Sequence, residues 1–339
     1  MQQINKKCNS MISLMKIALI PLFLLFTLPS FSQLELPVHI KPEAIKSFVK
    51  KQSFIYATKD SVQLGLDLYT NDSERTNTKK PCVIFVFGGG FVMGKRDAHI
   101  YNTYFNSLVE HNYDVVSISY RLGMKGAKKV TPFNIEPLRN AIQMATDDLF
   151  DATDWIIVHA DSLNIDTSKI IISGSSAGAI TVLQADFERA NGKPAAQKLP
   201  AHFRYAAVLA YSGAILSYDG RFKYKTTPAP TMMFYGTADK IVPYNKIRIF
   251  NRGMYGSSWI ARTLKKEDHP YYIYRAQGLG HEMSVLPMID ELPRIYDFLD
   301  QYVMQHKQLQ IDILYHDPSI KPLMTMTPAE LYKKLGAKK

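Results

Sequence analysis

From residue 52 onward, hydrophobic positions follow two rhythms that take turns: short alternating or continuous apolar runs, and longer stretches of helical period. Phe54 to Ala57 and Val62 to Tyr69 alternate around Lys59-Asp60 in the manner of a hairpin, and Cys82 to Phe87 is an unbroken apolar run ending in Gly88-Gly89-Gly90. The pattern predicts a helix over Ala98 to Glu110, a β-branched strand over Asp114 to Tyr120 and a long helix over Glu136 to His159. A strand over Lys169 to Ser173 then enters Gly174-Ser175-Ser176-Ala177-Gly178, with a helix over Ala177 to Ala190 behind it. Three more strands are predicted over Tyr205 to Tyr211, Thr231 to Tyr235 and Tyr271 to Arg275. Helices over Lys246 to Tyr255 and Leu292 to His306 follow the last two. Strands separated by helices pair in parallel with helices on both faces, so the expected architecture is α/β, with a central, mostly parallel twisted sheet of about eight strands. Such a sheet gathers the loops after its strands along one edge, where ligands bind.

Upstream of this pattern, Lys6, Lys7 and Lys16 precede the apolar run Ile17 to Leu28, followed by Pro29-Ser30-Phe31-Ser32. Basic flank, short apolar run and small residues before Gln33 are the features of a secretory leader, so residues 1–32 are expected to be removed between Ser32 and Gln33 and the protein exported, periplasmic or secreted. The apolar run is shorter than a bilayer requires and contains Pro21, which argues against a retained anchor. Residues 33–308 are expected to form the α/β domain, and residues 309–339 a tail whose Thr327-Pro328-Ala329-Glu330 resembles a capping box opening a short helix.

Composition changes this picture little. The chain is 46% hydrophobic and 21% charged, with a formal net charge of +11. Its Lys and Arg residues are scattered and do not form a dense block interleaved with aromatics, which argues against a nucleic-acid partner. Outside the leader Cys82 is the only cysteine, and it lies in an apolar run, so an intramolecular disulfide and a multi-thiolate metal site are excluded and the thiol is expected to be buried.

The candidate chemistry sits in four loops, each following a predicted strand. Gly174-Ser175-Ser176-Ala177-Gly178 is a G-x-S-x-G sequence between strand and helix, the context in which a tight turn exposes a serine nucleophile. Alone, that pattern arises by chance in roughly one chain in ten of this length. Phe87-Gly88-Gly89-Gly90-Phe91 lacks the Lys-Ser/Thr ending or the G-x-G-x-x-G spacing of a phosphate loop; its glycines suit backbone N–H groups that approach a developing oxyanion. Asp239, in Gly236-Thr237-Ala238-Asp239, is placed to orient an imidazole. Of nine histidines, only His281 follows a predicted strand in a glycine loop (Gly278-Leu279-Gly280) downstream of Asp239. The chain order Ser176, Asp239, His281, with room for a βα unit in each gap, makes coincidence improbable. His281-Glu282 lacks the second histidine of H-E-x-x-H, and neither a metal nor an organic cofactor is expected.

With these motifs, the chain resembles compact carboxylesterases of the α/β-hydrolase superfamily, close to the hormone-sensitive-lipase-like and bacterial carboxylesterase groups, over about Gln52 to Lys307. The resemblance implies an α/β-hydrolase fold, Ser176 as nucleophile, His281 as general base and then acid, Asp239 as its orienter, and oxyanion donors on the backbone of Gly89, Gly90 and Ala177. Tyr120-Arg121-Leu122 and Asn164-Ile165-Asp166 also resemble segments of those enzymes. Two positions depart from the pattern: Phe87 stands where a histidine usually opens H-G-G-G, and Ser175 where an acid usually precedes the nucleophile. The expected substrate is an ester with a short acyl group, small or carbohydrate-linked, because only the segment Ala214 to Pro230 is free to form a lid between two strands. A serine exopeptidase, a catalytically silent binding module, and lyase or acyltransferase chemistry on the same fold stay open.

Overall fold

The computed structural model describes residues 43–71, 78–128, 130–131, 134–218 and 222–334. The expected leader and its cut between Ser32 and Gln33 lie outside them.

Among the described residues nine strands form the central sheet, in the spatial order β1-β2-β4-β3-β5-β6-β8-β11-β12. The strands are β1 (Val49–Lys59), β2 (Val62–Asn71), β3 (Lys80–Val86), β4 (Asp114–Ile118), β5 (Ile165–Ser175), β6 (Ala207–Tyr211), β8 (Thr231–Gly236), β11 (Tyr271–Ala276) and β12 (Gln310–Tyr315). β1 and β2 are antiparallel, as is β2 with β4; every pair from β4 to β12 is parallel. Inner strands read as continuous apolar runs because both their faces are covered: Cys82 to Val86, β4, β6 and β8 are buried throughout. Burial also holds the Cys82 thiol protonated, well above its ordinary range.

The helices are α1 (Asn102–Glu110), α2 (Glu136–Val158), α3 (Ala160–Leu163), α4 (Ala177–Ala190), α5 (Ser257–Lys266), α6 (Pro287–Asp290), α7 (Leu292–Phe298) and α8 (Pro328–Lys334). The crossover from β3 to β4 runs one way along the sheet and that from β4 to β5 the other, so right-handed connections put α1 and α2 on opposite faces. α4 joins α2 over the middle strands, whereas α6 and α7 pack beside α1, where Tyr296 stacks on His111 and its hydroxyl meets that of Ser107.

Two expectations are corrected here. Lys246 to Tyr255 is not a helix: it forms β9 (Lys246–Ile249) and β10 (Arg252–Gly256), which with β7 (Ala214–Ser217) make a second sheet in the order β7-β10-β9. The helix begins only at Ser257. In addition, the segment read as a departing tail supplies the ninth strand of the main sheet, β12, in parallel register with β11 from Tyr271↔Gln310 to Ala276↔Tyr315. The short helix expected after Thr327 is present as α8, its cap formed by Glu330, whose carboxylate accepts the Thr327 N–H at 2.7 Å.

Candidate active site

Four strand ends converge on the site: those of β3, β5, β8 and β11. β5 runs into α4 through Ser176, whose backbone sits at φ 51°, ψ −113°, a conformation that costs a non-glycine residue free energy and turns its side chain out of the strand-to-helix bend. The bend closes because neither flanking glycine has a side chain. A Cβ on Gly174 would lie 2.3 Å from the Gly178 carbonyl oxygen, and one on Gly178 would lie 1.9 Å from that of Val86. The Ser176 N–H is taken by the Tyr211 carbonyl at 2.8 Å, so the turn is held from the neighbouring strand as well.

The three candidate side chains meet although they are far apart along the chain. Ser176 Oγ lies 2.8 Å from His281 Nε2, and His281 Nδ1 lies 2.8 Å from Asp239 Oδ2. Asp239's other oxygen accepts the N–H groups of Ile241 and Val242 at 2.8 and 3.1 Å, which leaves Oδ2 aimed at the imidazole. The Asp239 carboxylate is fully buried and the His281 ring nearly so, whereas Ser176 remains partly exposed. With Nδ1–H donating to the carboxylate, Nε2 is left as the acceptor for the serine hydroxyl proton.

The glycine run lies beside this relay. A Cβ on Gly88 would stand 3.2 Å from Ser176 Cβ, so the loop after β3 approaches the elbow as closely as backbone can. Gly88 donates its N–H to the Tyr101 hydroxyl at 3.2 Å. Among the described residues no hydrogen bond occupies the N–H groups of Gly89, Gly90 or Ala177, the last being the first residue of α4 and without an intrahelical acceptor.

The two departures from the esterase pattern have local explanations. Phe87 stacks on Tyr120 at 4.5 Å between ring centroids, and the Tyr120 hydroxyl donates to the Phe87 carbonyl at 2.9 Å, so an aromatic pair holds the loop where a histidine's hydrogen bond is absent. Ser175 donates its hydroxyl to the Ser284 carbonyl at 2.8 Å, tying the elbow to the segment just after His281. Arg121, next to Tyr120, pairs with the buried Asp148 through Nη2 at 2.8 Å and with Asp60 through Nη1 at 3.1 Å. Tyr101 and Ser284 escape sequence reasoning because only the folded sheet brings them to the loops, and Tyr120 stands out in the sequence only as part of an esterase-like Tyr-Arg-Leu segment, without a role. Among the described residues no group of three or more His, Cys, Asp or Glu side chains is placed to hold a metal ion, and no helix is long and apolar enough to cross a membrane. A cleft of about 420 Å³ lined by Tyr244, Arg262, Lys265 and Tyr271 contains none of the relay residues.

A nine-strand sheet with this crossover order, carrying a serine on a strained strand-to-helix turn, is the architecture of an α/β-hydrolase. A family model described as BD-FAE matches residues 66–215, under half of the chain. "Probable carboxylesterase 1" of Arabidopsis thaliana is 29% identical over 153 residues, covering 42% of this chain and 43% of that protein. "Lipase 2" of Moraxella sp. (strain TA144) is 29% identical over 139 residues, 38% of this chain and 29% of that protein. The chain thus spans less than half the length of these curated relatives. A thermophilic esterase from the Planctomycetes species Thermogutta terrifontis, solved with propionate bound, superposes with a TM-score of 0.57 at 20% identity, covering 74% of this chain and 93% of that one. Over these stretches the chain is similar to carboxylesterases and lipases, and its fold is that of the Thermogutta terrifontis esterase.

Proposed function

We propose that the protein is a serine carboxylesterase acting on esters of short acyl groups. The observation that carries the reading is the continuous relay from Ser176 Oγ through His281 to the buried Asp239, beside backbone N–H groups that have no other partner among the described residues. In the reaction, Ser176 Oγ attacks the ester carbonyl carbon as His281 Nε2 takes its proton, and Asp239 stabilises the imidazolium. The oxyanion accepts from Gly89, Gly90 and Ala177. The tetrahedral intermediate collapses with proton transfer from His281 to the departing alcohol. Water, deprotonated by the same imidazole, then hydrolyses the acyl-enzyme to free acid and Ser176.

Short acyl groups are favoured by the bound acids of the Thermogutta terrifontis esterase, which has been solved with propionate and with butyrate. The segment from Ala214 to Pro230 adds the same preference, since its first residues are occupied by β7 and little chain is left for a lid. Carbohydrate-linked esters are included in the proposal. The test is a series of p-nitrophenyl esters from acetate to palmitate, acetylated sugars, and dipeptide amides. Acetate to butyrate are expected to turn over fastest, and Ser176→Ala to lose about 10⁴-fold or more of kcat. Faster turnover of palmitate would overturn the acyl preference, and faster turnover of the amides would make the protein an exopeptidase.

A further inference from the structure

The catalytic-histidine loop contains a buried carboxylate that the relay does not use. Glu282, adjacent to His281, is 1% exposed, and among the described residues no cation pairs with it. Its partners are two backbone donors: Gly280 N–H to Oε1 at 2.7 Å and Met324 N–H to Oε2 at 3.0 Å. The first closes the loop on itself. The second reaches 42 residues along the chain, to the segment between β12 and α8. The Met324 carbonyl in turn lies 3.5 Å from the His281 N–H, so residues 281 and 282 are both held by one residue of the C-terminal segment.

This contact is built closely. Met324 is 2% exposed, and a Cβ on Gly280 would lie 2.4 Å from the Met324 carbonyl oxygen and 2.9 Å from Glu282 Oε2, so only glycine lets the C-terminal segment past. Beyond it α8 anchors the segment: Leu331 is buried and Tyr332 packs on the core. The C-terminal segment therefore meets the loop after β11 at Met324, beside His281. A loop punctuated by Gly278, at φ 81°, and Gly280 has the conformational freedom to wander, and an isolated buried carboxylate is costly to keep.

We propose that Glu282 is a positioning residue for His281, clamping the histidine loop to the Met324 backbone so that Nε2 meets Ser176 in register. The clamp rests on the esterase reading above and deepens it. Misplacing a catalytic group by about 1 Å can lower the rate by about 10²-fold. In Glu282→Gln one oxygen remains to accept, while the amide NH2 faces the second N–H and opens half of the clamp.

The experiment is steady-state hydrolysis of p-nitrophenyl acetate by the full chain. Glu282→Gln is expected to lower kcat by about 10- to 100-fold with KM changed less than about threefold, and with near-ultraviolet circular dichroism like the wild type. A second pair works from the other end: Met324→Pro and Met324→Ala lose the same side chain, but only proline loses the N–H. The proline variant is expected at least about tenfold below the alanine variant in kcat. Wild-type kcat in a folded Glu282→Gln overturns the clamp. If that variant does not fold, equal kcat in the proline and alanine variants overturns it. A wild-type protein that neither hydrolyses the ester nor reacts with a fluorophosphonate would instead contradict the esterase reading itself.

Discussion

Ser176 carries two burdens: it is the proposed nucleophile, and its backbone occupies a region that only glycine enters freely. These separate experimentally. Ser176→Ala removes the hydroxyl and keeps the strain, whereas Ser176→Gly removes both. Strain relief of about 1–3 kcal/mol exceeds the roughly 0.5–1 kcal/mol that glycine adds in unfolded-chain entropy, so the glycine variant is expected to melt a few degrees above the alanine variant. A lower Tm for the glycine variant would show that the bend is not strained. At this scale the sequence is informative where chemistry demands a residue type in a fixed local setting: Ser176 between glycines, Asp239 and His281 each after a strand. It is silent about Tyr101 and Ser284 and gives Tyr120 no role, because what these residues do comes from contacts between loops remote in the chain. Glu282 is in view only as the second residue of an incomplete zinc motif; its Met324 donor arrives only once β12 has brought the chain back past the histidine loop.

Among the elements, α4 depends on its approach to β3. Gly178 stands so close to the end of that strand that even one methyl group meets the Val86 and Phe87 carbonyls, at 1.9 and 2.8 Å. Gly178→Ala is therefore expected to push the helix off the sheet and lower Tm by about 4 °C or more in thermal denaturation, corresponding to an overpacking cost of about 1–3 kcal/mol. An unchanged Tm would mean that the helix can move without penalty. Inner elements were legible because full burial writes itself as continuous apolar runs, and α4 occupies the predicted Ala177 to Ala190 without change. Two of the misread elements, β9 and β12, are strands with an open face, whereas β7, read as part of a connection, is four buried residues too short to stand out. In β9 every residue is exposed, and Ile247, Phe250 and Met254 also fall at helical spacing, so the period alone does not choose. In β12, Ile311 and Ile313 alternate with Gln310 and Asp312 as an edge strand does, but nothing local announces that β11 will be its partner.

For the whole molecule, two buried acids couple stability to pH. Asp186, on α4, has its pKa pushed up to about 7 chiefly by burial, partly offset by the Ala229 N–H and by Arg204; burial raises Asp114 to about 7 too, with Lys80 opposing it. A carboxyl that keeps its proton in the native state and releases it on unfolding makes stability fall as pH rises through about 4 to 7. Asp186→Asn removes that dependence at one site and can still accept from Ala229. The Tm of the variant relative to wild type is therefore expected to increase from pH 4 to pH 8, by the equivalent of a few kcal/mol at most. A difference independent of pH would place the Asp186 pKa near that of a free carboxyl.

If Ser176, His281 and Asp239 act together as an activated nucleophile, intact-mass spectrometry after exposure to a fluorophosphonate reads it out on the protein itself. The expected result is one covalent adduct per chain, mapped to the peptide containing Ser176, absent in Ser176→Ala and strongly slowed in His281→Ala. A folded wild-type protein that stays unmodified, or an adduct on any other residue, would contradict it.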